Sequence, residues 1–420
     1  MHLRTMRTLA VAGIAFMGLA ACGGSSSSGG TASKGTLKIG IDLPISGNDA
    51  SDGKPAENGA LFAIKQANDA GGVEGYRLEA FALDDVSATL GKHDPQQGAT
   101  NVKQFITDAK VLAMVGPFNS NVARAEMPLA GATDAGPLAI ISPSNTGECL
   151  TQVHDYCTNG EPKSLHPAGK TNYFRVCTTD NIQGPALGDY AYDKLAKKNV
   201  YILDDKETYG KGLADNFEKE FTKKGGKVAG HDGFDGSTTK DFKSFLTKAK
   251  SKGVDLVFFG GTTSNGGGLI RSQMKGILDV PFIGGDGISN AQFLTDAGAN
   301  ADGSTYSVAA VNAEKLDSAK TFISDFKKAY PGKDDFGAYT ANAYDAAKIE
   351  ILAIGNAIKA NNGSVPTRQQ VIDQIAKVDY NGVIGHTTFD KNGDTGNRII
   401  SFYTIQGGKA AFSDQITFSG

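Results

Sequence analysis

Short apolar runs alternate with longer amphipathic segments along the chain from residue 37 onwards. Runs typical of strands cover 37–41, 78–83, 111–115 and 137–141, and the segments between them, 56–70, 100–109 and 123–135, space apolar residues three and four apart. That spacing is typical of helices that bury one face. Because strands and helices alternate strictly, the pattern predicts a parallel sheet covered by helices on both faces.

The same alternation begins again after the cysteine-containing middle of the chain. The predicted strands are 199–203, 227–230, 255–259 and 281–283, and the predicted helices are 210–224, 241–252, 269–276, 318–329 and 338–360. The last apolar runs, 387–389, 398–404 and 410–413, indicate antiparallel strands joined by glycine turns. A chain of 420 residues is too long for one compact core, so the pattern predicts two similar α/β lobes.

The N-terminus has the three parts of an export signal. Arg4 and Arg7 precede an apolar run at 9–17, and a Leu-Ala-Ala-Cys tetrapeptide ends at Cys22. The run is shorter than the ~20 residues that span a bilayer, which indicates a signal peptide over 1–21. The tetrapeptide resembles a bacterial lipobox, which implies cleavage before Cys22 and lipid on that cysteine. Ordinary cleavage beside a chance cysteine is the alternative.

Residues 22–35 are rich in glycine and serine and are expected to form a flexible tether. A tether that directly follows a lipidated residue suits a domain held close to a membrane. The N-terminus therefore predicts an extracytoplasmic protein that is lipid-anchored to the cell membrane, at the cell surface or on the periplasmic side.

Composition and motifs argue against several functions. The net charge of −3 offers no basic field for nucleic acid. The glycine-rich stretch 260–268 is not followed by the Gly-Lys-Ser/Thr of a phosphate loop, and no Gly-x-Ser-x-Gly motif marks a nucleophile. The six histidines lack metal-ligand spacing, and 390–394 lacks the glycine and glutamate of a calcium loop. We therefore expect no catalytic activity, no cofactor and no metal.

Three cysteines remain beyond Cys22. Cys149 and Cys157 lie close together, and because exported proteins meet oxidising conditions, a disulfide between them is expected. Free thiols are the second possibility. A metal site with His154 is the third, although the spacing fits no zinc pattern. The state of Cys177 stays open.

Polar residues cluster where the predicted strands end. These segments are 45–47, 116–120, 142–146, 204–209, 260–263 and 284–287, and they carry hydroxyls, glycines and a few acids. In open parallel sheets, ligands bind beyond the carboxyl ends of the strands. Hydroxyls and free N–H groups at helix starts receive carboxylates, and a carboxylate balances an ammonium group. Together the segments are suited to a zwitterion.

In their order, these segments resemble the periplasmic substrate-binding proteins of branched-chain amino-acid ABC importers, the leucine/isoleucine/valine-binding protein family. The resemblance runs from about residue 37 to about residue 393. Its marks are Ser46-Gly47, Gly71-Gly72-Val73, Asp84-Asp85, Gly116 to Ser120, Ser142 to Thr146, Asp205 to Gly212, Gly284-Gly285-Asp286-Gly287, Tyr344-Asp345-Ala346 and Phe389 to Asp394. Each mark alone is weak, and their joint order and spacing carry the resemblance.

The resemblance implies a type I periplasmic binding protein fold. Two Rossmann-like lobes with parallel sheets would be joined by a three-stranded hinge. Lobe 1 would comprise 36–178 plus 310–383, and lobe 2 would comprise 179–309 plus 384–420. The implied function is capture of an amino acid or similar polar solute, followed by delivery to an ABC permease, with the protein a monomer. A ligand-sensing receptor component and an exported α/β enzyme are the alternatives.

The resemblance also implies roles for five residues. Ser120 and Thr146 would bind the ligand carboxylate. The Ser144 carbonyl and the Asp286 carboxylate would bind its ammonium group. Tyr209 would close over the ligand from the second lobe. Helix capping and turn formation are the alternative roles of the two serines, and Tyr209 has the alternative of a packed aromatic.

Four positions set the expected specificity. The family usually has Glu where this chain has Asp286. It has aromatic walls where this chain has Asp52 and Thr262, and Tyr339 keeps a third aromatic. A pocket that exchanges two aromatics for Asp and Thr is poorly suited to leucine, so we expect a polar or cationic amino acid or an amide-like solute. The alternative is that Asp52 is exposed on a loop.

Overall fold

The computed structural model describes residues 34–154, 156–158 and 160–418. The predicted signal peptide, Cys22 and most of the predicted tether lie outside the described residues. Within those ranges, no helix combines the length and the apolar character that crossing a membrane requires.

Fourteen strands and eleven α-helices follow one another along the described chain. The strands are β1 (Thr36–Leu43), β2 (Arg77–Asp84), β3 (Val111–Val115), β4 (Ala139–Ser142), β5 (Tyr173–Arg175), β6 (Asn199–Asp204), β7 (Lys227–Gly233), β8 (Leu256–Gly260), β9 (Phe282–Gly284), β10 (Thr305–Val308), β11 (Asp379–Gly382), β12 (Gly385–Thr388), β13 (Ile399–Gln406) and β14 (Lys409–Thr417). The helices are α1 (Ala50–Asp69), α2 (Pro95–Thr107), α3 (Ser120–Gly131), α4 (Asp180–Asp189), α5 (Thr208–Lys223), α6 (Lys243–Ser251), α7 (Gly267–Gln273), α8 (Ala291–Ala297), α9 (Lys320–Ala329), α10 (Thr340–Ala360) and α11 (Arg368–Ile375).

The first lobe is built on a five-stranded parallel sheet in the order β2-β1-β3-β4-β5. Side chains alternate between its faces because successive residues of a strand point to opposite sides. Ala113 and Val115 of β3 face the helices α1, α9, α10 and α11. Met114, which lies between them, faces α2 and α3. Helices therefore cover both faces, as the alternating pattern predicts.

The second lobe is built on a seven-stranded sheet in the order β14-β13-β10-β9-β8-β6-β7. Its first five strands in chain order run parallel, whereas β13 and β14 pair antiparallel at one edge, as the C-terminal pattern predicts. Val257 and Phe259 of β8 face α6, α7 and α8. Phe258 faces α4 and α5, where its ring stacks on Phe217 with centroids 3.8 Å apart.

The chain crosses between the lobes three times, after β5, after β10 and before β13. The first two crossings are bonded to each other, because the Thr178 N–H donates to the Ala309 carbonyl at 3.0 Å. The third joins them through Ser401, whose hydroxyl donates to the Ala310 carbonyl at 2.8 Å. The predicted boundary between 383 and 384 falls within the hairpin that β11 and β12 form. The lobe boundaries themselves stay a prediction.

A cluster of acidic side chains is buried in the first lobe beside α2 and α3. Asp42, Asp85 and Glu126 are each fully buried. Asn101 donates to Asp42 at 2.7 Å, and the Glu126 carboxyl also hydrogen-bonds to Asp42, whereas the carboxyl oxygens of Asp85 lack a hydrogen-bond partner among the described residues. Burial raises the pKa of Glu126 well above its ordinary range, and Asp42 raises it further. The folded lobe therefore holds this carboxyl protonated.

Replacing Glu126 with glutamine is expected to stabilise the protein at alkaline pH. The unfolded chain releases the Glu126 proton near its ordinary pKa of about 4.3, so the wild type loses stability as the pH rises above that value. Glutamine keeps a donor and has no proton to lose. Urea unfolding should show a gain of about 1–3 kcal/mol at pH 8 and a smaller gain at pH 5. An equal gain in the exposed-site control E314Q would contradict this explanation.

Candidate ligand-binding site

The loops that follow the parallel strands of the two lobes meet across one interface. Asn290 of the second lobe donates to Asp52 of the first at 2.7 Å. Arg124 donates to Thr208 at 3.1 Å, and Asn121 donates to Glu207 at 2.9 Å. The structure therefore has the two lobes in contact through the strand exits that the sequence indicates as the ligand site.

The three predicted first-lobe anchors lie on neighbouring loops. Ser120 begins α3 after β3, and its hydroxyl accepts from the Gly147 N–H at 3.1 Å. Ser144 follows β4, and its hydroxyl donates to the Phe118 carbonyl at 2.9 Å. The Thr146 hydroxyl is buried and hydrogen-bonds to the Asp180 carboxyl; burial raises the pKa of that carboxyl, and this contact lowers it.

Asp286 follows β9 and receives three donors. Tyr209 and Gln183 of the second lobe donate to its Oδ1 at 2.9 and 2.8 Å. Tyr339, on the segment that precedes α10, donates to its Oδ2 at 2.8 Å. Burial nevertheless raises the pKa of Asp286, although all three donors lower it. None of these donors carries a positive charge, so the Asp286 carboxylate has no ion-pair partner and can bind a cationic group of a ligand.

Tyr209 lies in the first turn of α5 and is partly buried. Its hydroxyl donates to Asp286 and also accepts from the Gly287 N–H at 3.0 Å. Its ring packs against the α4–α5 side of the second lobe. Both sequence-based interpretations, packed aromatic and residue above the ligand, are therefore compatible with its position.

The three specificity candidates fall in different places. Asp52 lies in the first turn of α1, not on a loop, and is partly buried beside Asn290. Tyr339 is buried and lies next to Phe118, with ring centroids 5.7 Å apart. Thr262 is engaged within its own loop, because its hydroxyl pairs with Ser264 at 3.0 Å. The structure thus brings Asp52 and Tyr339 together and leaves Thr262 apart.

A cavity of about 490 Å³ lies between the lobes. Asp52 and Tyr339 line it with Phe118, Ile288 and Asn290. The predicted anchors are not among its lining residues, but Tyr339 of the cavity wall donates to one of them, Asp286. Tyr339 is therefore the side chain that connects the cavity to the Asp286 carboxyl.

A second group of charged residues joins the lobes, and we call it the inter-lobe latch: Asp49, Lys92 and His93 of the first lobe with Glu207 of the second. His93 is buried, and its Nδ1 lies 2.9 Å from Asp49 while its Nε2 lies 2.8 Å from Glu207. Lys92 donates to Glu207 at 2.8 Å. The sequence analysis missed this group because its members lie far apart along the chain.

The latch is strongly charged. Burial lowers the pKa of His93, but Asp49 and Glu207 outweigh burial and raise that pKa well above its ordinary value. Burial raises the pKa of Glu207, but His93 and Lys92 lower it to about 2. At neutral pH the latch therefore consists of two cations and two carboxylates.

The cysteines of the first lobe differ in state. Cys149 and Cys157 form a disulfide with Cα atoms 5.5 Å apart. Cys177 is a buried free thiol that donates to the Asn145 carbonyl at 3.2 Å, and burial raises its pKa. His154 stacks on Tyr156 at a centroid distance of 4.9 Å. No cluster of histidine, cysteine and acidic side chains in the described part of the chain is arranged to hold a metal.

Comparison with known proteins agrees with this architecture. The model of the periplasmic binding protein family matches residues 36–410, so the chain belongs to that family. It is 30% identical over 357 residues to Leu/Ile/Val-binding protein homolog 1 of Brucella suis, covering 85% of this chain and 86% of that protein. A Pseudomonas aeruginosa protein named as binding leucine, isoleucine, valine, threonine and alanine is 28% identical over 400 residues. The match covers 95% of this chain and 94% of that protein.

Solved structures show the same fold. The leucine-binding protein LivK of Thermotoga maritima superposes with a TM-score of 0.76 at 25% identity, covering 91% of this chain and 99% of that one. LivJ of Streptococcus pneumoniae, solved in complex with isoleucine, superposes with a TM-score of 0.73 at 27% identity. The match covers 89% of this chain and 97% of that one. The protein therefore has the type I periplasmic binding fold of two α/β lobes, as the resemblance implies.

Proposed function

We propose that this protein is the extracytoplasmic solute-binding component of an ABC importer and captures an amino acid between its lobes. The observation that carries the proposal is Asp286, a buried carboxylate bonded only to neutral donors. It belongs to a set of strand-exit residues that also includes the buried hydroxyl of Thr146. A carboxylate and free hydroxyl or N–H donors are the two halves of a zwitterion site.

The residue roles in this proposal are those that the family resemblance implies. The ligand ammonium group binds Asp286 and the Ser144 carbonyl. Its carboxylate accepts hydrogen bonds from Thr146 and Ser120. Tyr209 lies over the ligand while its hydroxyl holds Asp286 in place.

Binding is the whole task, and no bond of the solute is broken. The open and closed arrangements exchange, and the ligand favours the closed one because it contacts both lobes. The closed form is what a membrane permease recognises. Lipid on Cys22 keeps this monomeric protein close to that permease.

Isothermal titration with the twenty amino acids tests the proposal. The protein is first unfolded and refolded by dialysis to remove any solute that co-purifies. We expect saturable one-to-one binding of at least one amino acid, and mass spectrometry of the removed solute should identify the same class. A protein that refolds fully and binds none of them would refute amino-acid capture.

The latch should make ligand affinity depend on pH. His93 favours closure while it is protonated, so its contribution is lost as the pH rises through its raised pKa. Glu207 favours closure while it is ionised, so its contribution is lost as the pH falls from about 4.3 towards about 2. The charged and titratable groups around the latch are Asp49, Asp52, Asp85, Lys92, His93, Asp205 and Glu207.

Replacing Glu207 with glutamine is expected to weaken binding about 5- to 30-fold at pH 7, equivalent to about 1–2 kcal/mol. The pH dependence above neutrality should also flatten in this variant. E218Q is the matched control, because Glu218 pairs with His231 within the second lobe. Equal losses in both variants would show that the effect does not come from the contact between the lobes.

A further inference from the structure

The interface between the lobes contains more buried carboxyls than cations. The two carboxylates of the latch, Asp49 and Glu207, are balanced by His93 and Lys92. Near this interface, carboxyls that form no ion pair with another described residue include Asp52, Glu148, Asp180, Asp205 and Asp286. Before any ligand binds, these five carboxyls therefore have no ion-pair partner.

Asp52 is the one of these carboxyls that lines the cavity. Its Oδ2 accepts from the neutral amide of Asn290 at 2.7 Å. Burial raises its pKa well above the ordinary range, and Asp49 and Asp286 raise it further, so Asp52 takes up a proton unless a cation binds beside it. Two lysines, Lys333 and Lys409, also line the cavity, but both are exposed and neither pairs with Asp52.

A neutral amino acid would leave Asp52 without an ion-pair partner, because its single ammonium group binds Asp286. Only a ligand with a second positive group supplies a partner for Asp52. Charge pairs inside a closed, low-dielectric interface interact more strongly than in water.

The walls of the cavity suit the rest of such a side chain. Phe118, Ile288, Leu294 and Phe336 line the cavity with apolar surface, and Asp52 supplies a carboxylate. A chain of methylenes ending in a cation lies favourably on apolar surface while its charged end reaches a polar group. Tyr339 lines the same cavity and bonds to Asp286 at 2.8 Å, which connects the cavity to the ammonium site.

We propose that the ligand is a basic amino acid whose side-chain ammonium or guanidinium group binds Asp52 and whose methylenes lie along Phe118 and Ile288. This inference rests on the proposed function and narrows it to one class of solute. Asp52 is then the residue that determines specificity, and Asp286 is the anchor that every amino acid uses.

Titration of lysine, ornithine and arginine against norleucine and leucine tests the inference. Norleucine has the linear methylene side chain without the terminal ammonium group. The wild type should bind at least one basic amino acid at least about 10-fold more tightly than norleucine. The D52N variant should lose at least about 10-fold of that affinity while its affinity for norleucine stays equal or rises.

Two further variants keep the test decisive. D69N removes the same charge from the other end of α1, where Asp69 pairs with Lys65 on the surface, and should bind basic amino acids like the wild type. D52E keeps the charge and should retain the preference for basic ligands. If D52N damaged the fold, its affinity for norleucine would fall as well, and the norleucine titration therefore controls for misfolding.

The outcomes separate the two proposals. Tight binding of leucine or norleucine, with no preference for basic ligands and no effect of D52N, would overturn this inference while the proposed function stands. Binding of no amino acid would overturn both.

Discussion

The variant D286N is expected to bind its amino-acid ligand at least about 100-fold more weakly than the wild type. The Asp286 carboxylate is buried and is held by Gln183, Tyr209 and Tyr339, so it supplies charge without rearrangement. Removing one partner of a desolvated charge pair costs about 2–5 kcal/mol, and 100-fold corresponds to about 2.7 kcal/mol. Isothermal titration measures the loss directly.

The D286N substitution should weaken ligand binding without a comparable loss of folding stability. Burial raises the pKa of Asp286, so the ligand-free fold gains nothing from its charge. We expect the free energy of unfolding of D286N to stay within about 1 kcal/mol of the wild type. D296N, which removes an acid from α8 of the same lobe, is the control for net charge. Wild-type affinity in D286N would exclude this carboxylate as the ammonium anchor.

The variant R175L is expected to lose about 3–5 kcal/mol of stability, the usual result of leaving a buried charge unpaired. The Arg175 guanidinium is fully buried, and its Nε donates to Asp394 at 2.6 Å. It also donates to the carbonyls of Asn145 and Gly147 at 2.9 and 2.8 Å. Those carbonyls flank Thr146, so the same substitution should also loosen the proposed carboxylate site.

Urea unfolding and ligand titration together test this prediction. The double variant R175L/D394N should recover part of the lost stability, because the uncompensated charge is then removed as well. R398L is the control, since Arg398 bonds to the Phe418 carbonyl at an exposed position and should change stability by less than about 1 kcal/mol. A loss in R175L no larger than in R398L would refute a structural role for the buried pair.

The strands were the most predictable part of the fold. The apolar run 111–115 coincides with β3, and the run 255–259 differs from β8 by one residue at each end. Helix α1 begins at Ala50, six residues before the predicted start, because Gly53 and Pro55 are poor helix formers that tertiary packing accommodates. Tertiary contacts decide where such a helix begins, and the spacing of apolar residues along the sequence carries no information about those contacts.

Short elements escaped prediction for a related reason. Helix α4 contains Gly184, Pro185 and Gly188, which argue locally against a helix. Gly184 and Gly188 lie against α5, where a Cβ atom at position 184 would crowd Asn216. The missed helix also carries Gln183, one of the three donors to Asp286.

The candidate site was predictable only where it lies at strand ends. Ser120, Ser144 and Thr146 lie on neighbouring loops of the first lobe, and Asp286 follows a strand of the second, because the carboxyl ends of parallel strands share one edge of each sheet. His93 and Glu207 are separated by 114 positions and meet where the two lobes contact each other. No local pattern marks such a pair, so the latch required the structure.

Small-angle scattering of the refolded protein with and without its amino-acid ligand tests the central claim, capture between two closing lobes. The account predicts that the radius of gyration of the wild type falls as ligand is added and that the change saturates with binding measured by titration. D286N should show no change at the same ligand concentration. An unchanged radius in the wild type, at a concentration where titration shows the site to be full, would contradict closure of the lobes around the ligand.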